Sequence, residues 1–150
     1  MVQEKEMAPD FELPADDGSV VRLSELKGKR VVLYFYPKDD TSGCTAQACG
    51  VRDEFPRFQA KDAVVLGVSP DPVASHVKFR DKYDLPFRLL ADTEHAVAEK
   101  YGVWVEKTRC GKTTWGNERT TFVIGPDGRV EHVFRNVKPA EHAEQVLSVL

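Results

Sequence analysis

The sequence predicts one α/β domain in which helices flank a mixed β-sheet, and three observations carry that expectation. The apolar runs at 31–36 and 63–68 have the length of strands and lack alternation, as strands covered on both faces do. Each is followed by a segment that reads as helix, and such crossovers join parallel strands. Asp17-Gly18 and Asp127-Gly128 sit between short apolar segments, the pattern of antiparallel hairpins. At 150 residues the chain fits a single domain, 1–150, that buries roughly 70% of its unfolded surface.

In chain order, residues 1–7 are polar and expected to fray. Segments 11–13 and 20–23 flank Asp16-Asp17-Gly18-Ser19 and form an N-terminal β-hairpin. Ser24 caps a brief helical turn that Gly28 closes. The strand at 31–36 ends at Pro37, and Ser42-Gly43 turns the chain into a helix. Cys44, Ala48, Val51, Phe55 and Phe58 fall on one face of it. Pro56 should kink or end that helix near Phe55. After the strand at 63–68, Asp71-Pro72 reads as a cap and a first-turn proline, opening a helix to about Tyr83. A short strand at 87–90 precedes a helix capped by Thr93 and stopped by Gly102. Residues 103–118 are mostly polar and read as a surface loop, with one irregular strand at 103–105. Strands at 120–124 and 130–134 are joined by Gly125-Pro126-Asp127-Gly128. Pro139 begins the last helix, with Ala143, Val146, Leu147 and Leu150 on one face.

Composition excludes several function classes. A net charge of −3 gives no reason to expect nucleic acid or an anionic membrane as a partner. No stretch approaches the length of a membrane span, and no charged-then-apolar leader is visible. Three cysteines, an odd count, argue against a secreted disulfide framework and for functional thiols in a reducing cytoplasm. His76, His95, His132 and His142 show no metal-ligand spacing and are expected on the surface. The run 106–113 ends like a phosphate-binding loop, but Glu106 occupies the first glycine's place, so nucleotide binding is discounted. Trp104 and Trp115 read as packing residues or loop anchors.

The chemistry concentrates at Cys44. It lies in the first turn of a helix, where unpaired N–H groups and the helix dipole favour an anion and push a thiol towards thiolate. Cys49, five residues on, is rotated by about 140° and displaced by about 7.5 Å along an intact helix. Such a pair cannot join unless the first turn and a half unwinds. On these residues alone, Cys44 also reads as a small core residue and Cys49 as an incidental thiol. Thr41 then passes as a loop hydroxyl and Arg119 as a surface arginine.

Pro37, Thr41 and Cys44 spell P-x-x-x-T-x-x-C, which resembles the peroxidatic site of peroxiredoxins. Cys49 at its spacing resembles the Q-type subfamily, the bacterioferritin comigratory proteins. The likeness runs from Ala8-Pro9-Asp10-Phe11 through Arg119-Thr120-Thr121-Phe122 to Asp127-Gly128. It implies a thioredoxin-like fold and a thiol peroxidase that needs no metal or organic cofactor. A free thiol is only about 3% ionised at pH 7, so ionisation alone gains at most roughly 30-fold. The rest has to come from fixed donors at the leaving oxygen. By resemblance these are the Thr41 hydroxyl, the N–H groups of Gly43 and Cys44, and the Arg119 guanidinium, with Pro37 shielding the sulfur.

The implied cycle oxidises Cys44 with hydrogen peroxide or an organic hydroperoxide. Cys49 then resolves the sulfenic acid as an intramolecular disulfide, and thioredoxin or a similar dithiol reduces it. A resolving cysteine in the same helix lets a monomer complete the cycle. Two positions depart from the family pattern: Ser42 stands where proline is frequent, and Cys110 where a cysteine is unusual. A second reading is a thioredoxin-fold relay in which Cys44 passes its oxidation to a partner. The lack of Cys-x-x-Cys speaks against a thioredoxin or disulfide isomerase role.

Overall fold

The computed structural model describes residues 1–150, apart from the side chain of Arg109. The chain opens with a hairpin, β1 (Glu12–Pro14) and β2 (Val20–Arg22), passes a 3-10 turn at Leu23–Leu26 and enters the main sheet as β3 (Arg30–Phe35). Helices α1 (Ser42–Asp53) and α2 (Phe55–Ala60) lead to β4 (Ala63–Ser69). Helix α3 (Val73–Tyr83), β5 (Arg88–Ala91) and α4 (Ala96–Tyr101) follow. A second hairpin, β6 (Trp104–Arg109) and β7 (Lys112–Asn117), precedes β8 (Thr120–Ile124), β9 (Val130–Phe134) and α5 (His142–Leu147).

The main sheet has the order β5-β4-β3-β8-β9. Strands β3, β4 and β5 run parallel through helical crossovers, whereas β8 is antiparallel to both β3 and β9. This is the mixed sheet the sequence predicts. Strand β3 lies at its centre and is buried on both faces, which explains its unbroken apolar run. Val31, Leu33 and Phe35 pack on one side with Tyr101, Val103 and Phe122. Val32, Tyr34 and Tyr36 pack on the other with Cys44, Ala48, Val51, Phe58 and Phe79. Cys44 is thus held against the sheet by the apolar face of its own helix.

Several local expectations are overturned. Residues 103–118 form no loop: β6 and β7 pair from Trp104↔Asn117 to Arg109↔Lys112 around a two-residue turn. Cys110 and Gly111 carry it with φ 52 and 74, a conformation that usually calls for Asn-Gly. The hairpin projects from the sheet with mostly polar side chains, so no alternation betrays it. Residues 1–7 are tied down: Val2 is buried, Lys5 N–H donates to the Val130 carbonyl at 2.8 Å, and Met7 bridges Arg129.

Helix ends differ as well. The carboxylate of Asp92, not Thr93, receives the N–H groups of Val97 and Ala98 at the start of α4. Asp71 turns its carboxylate to the Ser69 hydroxyl and the Asp39 N–H, leaving Pro72 at the N-cap of α3. Ser24 caps nothing; its N–H donates to Asp10, and the 3-10 turn has Arg22 at its N-cap. Helix α5 starts at His142 rather than at Pro139. Pro56 acts as expected: α1 stops at Asp53, and α2 begins with the proline in its first turn.

Candidate active site

Strand pairing brings the distant parts of the site together. Thr120 of β8 is opposite Phe35, the last residue of β3, so Arg119 falls beside the segment that leaves β3 towards α1. Asn117 Nδ2 donates to the Tyr36 carbonyl at 3.2 Å, and Val137 N–H to the Arg119 carbonyl at 3.0 Å, fixing that approach from two sides. Thr41 is the N-cap residue of α1 by backbone conformation, but its hydroxyl donates to the Lys38 carbonyl at 3.0 Å instead of capping. The helical ladder starts with Thr45 N–H on the Thr41 carbonyl at 2.8 Å, leaving the N–H groups of Gly43 and Cys44 ahead of it.

Arg119 Nη1 lies 3.4 Å from Cys44 Sγ and 2.6 Å from Gln47 Oε1. Gln47 is buried one helical step from Cys44 and holds the guanidinium over the sulfur. A Cβ on Gly43 would lie 3.0 Å from Arg119 Nη2 and 3.5 Å from Pro139 Cγ, so any other residue here would push the guanidinium by a few tenths of an ångström. Pro37, Thr41, Ser42, Gly43 and Arg119 line a cleft of about 630 Å3, closed opposite by Lys107, Thr108 and Thr114 of the β6–β7 hairpin. Pro37, Thr41, Gly43, Cys44 and Arg119 are therefore brought together. Cys49 lies further along the same unbroken helix, half-buried, and Cys110 is exposed at the hairpin turn; all three cysteines are free.

Two histidines expected on the surface are fully buried here. His76 of α3 places Nδ1 2.7 Å from Asp39 Oδ2 and Nε2 2.9 Å from the Leu90 carbonyl. His142 of α5 contacts the Thr121 hydroxyl at 2.8 Å. Burial, and then the charge of Arg119, hold His142 down to about 4, so it is neutral at physiological pH. Its ring lies 5.4 Å from that of Tyr34, whose ionisation is pushed well upward by burial and then by the neighbouring Cys44. Histidine is polar enough to pass for a surface residue by sequence, and neither position carries a motif. Gln47 and Asp39 were equally silent: each lies in a segment that reads as polar, and only the folded chain shows them buried. Among the described residues no three His, Cys, Asp or Glu side chains gather as a metal site, and no helix is long and apolar enough to cross a membrane.

Residues 5–133 match the AhpC/TSA family. Peroxiredoxin Bcp of Bacillus subtilis is 50% identical over 143 residues, 95% of this chain and 91% of that one. The chain belongs to this family of peroxiredoxins. Peroxiredoxin Bcp of Escherichia coli is 45% identical over 145 residues, covering 97% of this chain and 93% of its own. Among solved structures, the bacterioferritin comigratory protein of Xanthomonas campestris superposes with a TM-score of 0.88 at 37% identity, covering 93% of this chain and 88% of that one. A PrxQ mutant of Xylella fastidiosa superposes at 0.94 with 33% identity, covering 99% and 95%. The mixed sheet with its flanking helices is accordingly the thioredoxin-like fold of these proteins. This peroxiredoxin is a thiol-dependent peroxidase, with hydroperoxides as substrates and a thiol reductant as the general kind of partner.

Proposed function

We propose that Cys44 is the peroxidatic cysteine and Cys49 the resolving one, in a cycle completed within one chain. The observation that carries this reading is the Arg119 guanidinium, which lines the cleft and lies 3.4 Å from a buried sulfur at a helix start. The Cys44 thiolate attacks the terminal oxygen of ROOH: the S–O bond forms, the O–O bond breaks, and the peroxide proton leaves with RO as ROH. Sulfur gives up two electrons and becomes sulfenate, then sulfenic acid. Arg119 and the N–H groups of Gly43 and Cys44 stabilise charge on the departing oxygen, joined by the Thr41 hydroxyl once it turns from the Lys38 carbonyl, and Pro37 excludes water from the sulfur.

Helix α1 then unwinds, because an intact helix keeps residues five apart from bonding. Cys49 sulfur attacks Cys44 sulfur; the S–S bond forms, the S–O bond breaks, and the hydroxyl leaves as water with the Cys49 proton. An external dithiol reduces the disulfide by exchange, and we assign that role to thioredoxin. We take hydrogen peroxide and organic hydroperoxides as the substrates, in line with the alkyl peroxide reduction activity of the Xanthomonas campestris protein. The chain would work as a single-domain monomer in a reducing cytoplasm, where the free thiols persist.

Steady-state turnover with thioredoxin, thioredoxin reductase and hydrogen peroxide tests this. Native protein turns over; Cys44→Ser is inactive, and Cys49→Ser completes one oxidation and stops. Full turnover by Cys49→Ser would refute the assignment of the resolving thiol.

A further inference from the structure

We propose that His76 is a positioning residue of the peroxidase: through Asp39 it pins the segment 37–40, so that α1 unwinds while the wall of the pocket stays formed. This rests on the Cys44–Cys49 reading above and adds to it the point at which unwinding stops.

The Asp39 carboxylate is buried, accepts from the Tyr36 hydroxyl at 2.6 Å and the Ser75 hydroxyl at 2.8 Å, and pairs with His76 Nδ1 at 2.7 Å. A carbonyl only accepts, so His76 Nε2 carries the hydrogen it presents to Leu90, while Nδ1 faces Asp39. His76 thereby links the segment before Cys44 to the buried Leu90 of β5, an edge strand of the main sheet. Asp39 N–H donates to Asp71 as well, at 2.8 Å.

The same helix grips the chain at two further points, one on each side of the two cysteines. Asp40 accepts from Lys82 and the Tyr83 hydroxyl, and Arg52 Nη1 donates to the Tyr83 carbonyl at 2.7 Å. Between these grips, among the described residues, the side-chain hydrogen bonds of residues 42–51 go to Arg119 alone. Unwinding that stretch therefore breaks no side-chain bond to α3. Of the two grips before Cys44, the Asp40–Lys82 pair is exposed and screened by water, whereas Asp39–His76 is buried and desolvated. The buried pair is the firm one.

An anchor of this kind predicts opposite effects on the two steps. Attack on peroxide needs the folded pocket, and disulfide formation needs it opened. Quenched-flow samples of a single turnover, read by intact mass, separate them as gain of one oxygen and then formation of the disulfide. His76→Asn sets its amide nitrogen where Nδ1 lies and keeps the bond to Asp39; His76→Gln reaches Leu90 instead. Cys44 oxidation is expected within about threefold of native in H76N but slowed about tenfold or more in H76Q, with disulfide formation in H76Q no slower than native. Equal effects of both substitutions on the first step, or disulfide formation slowed along with it, overturn the proposal. Hydrogen exchange on the native protein tests it without a variant. On oxidation, amides of residues 45–51 should lose protection while the Asp39 amide, bonded to Asp71, keeps it, and loss at Asp39 overturns the anchor. Native protein that forms no Cys44–Cys49 disulfide refutes the parent reading instead.

Discussion

Arg119 holds its guanidinium 3.4 Å from the Cys44 sulfur across a separation of 75 residues, and the same nitrogen is fixed 2.6 Å from Gln47. In the proposed cycle one cation thus serves both the attacking sulfur and the departing oxygen. Arg119→Ala removes that donor, and loss of one preorganised donor typically costs about 10²- to 10³-fold in rate. Single-turnover oxidation of Cys44 by hydrogen peroxide should slow by that much, with the thermal unfolding midpoint little changed.

Gln47 is the support for this cation. Gln47→Leu keeps the bulk but leaves the guanidinium free to swing, and misplacement of a catalytic group by about 1 Å can cost up to about 10²-fold. The expected loss in kcat/KM is about tenfold, smaller than for Arg119→Ala. Equal losses in the two variants would show that Gln47 does more than hold Arg119.

Gly43 is required for room. Gly43→Ala places a methyl group 3.0 Å from Arg119 Nη2, where the side chain has to give way. Alanine favours the helix, so this variant should unfold at the same temperature as native or slightly higher while its peroxidase rate falls about tenfold. Calorimetry and the peroxide assay together check that divergence.

The strands, the crossovers and the place of Cys44 at a helix start were legible in the sequence, because apolar runs and helical spacing report burial directly. The approach of Arg119 was not: it depends on Thr120 pairing with Phe35, a register that no local pattern encodes. The β6–β7 hairpin was missed for a related reason. Its strands are polar, and its turn carries Cys110 at φ 52 where asparagine would have announced it. Cys110→Asn should therefore leave turnover unchanged and stabilise the protein by no more than about 1 kcal/mol, measured by urea unfolding.

His142 gives a pH signature. Burial and the charge of Arg119 hold it down to about 4 in the folded chain. Between its ordinary value near 6.5 and about 4, the unfolded chain takes up a proton that the folded one refuses, so stability falls with pH across that window, by about 3 kcal/mol in all. His142→Gln, whose amide can keep the Thr121 contact, should remove that part of the slope. Urea unfolding of both proteins at several pH values across the window measures it.

The central claim is the bond between Cys44 and Cys49, and peptide mass mapping tests it most directly. Reduced protein receives one equivalent of hydrogen peroxide, is alkylated, and is cut after Lys and Arg. Both cysteines emerge on one peptide, from Asp39 to Arg52, and Cys110 on another, Cys110-Gly111-Lys112. The cycle proposed here predicts that the first peptide loses two hydrogens and takes no alkyl group, while the second is fully alkylated. Two alkylated thiols on the first peptide, or a crosslink from Cys44 to Cys110, would contradict it.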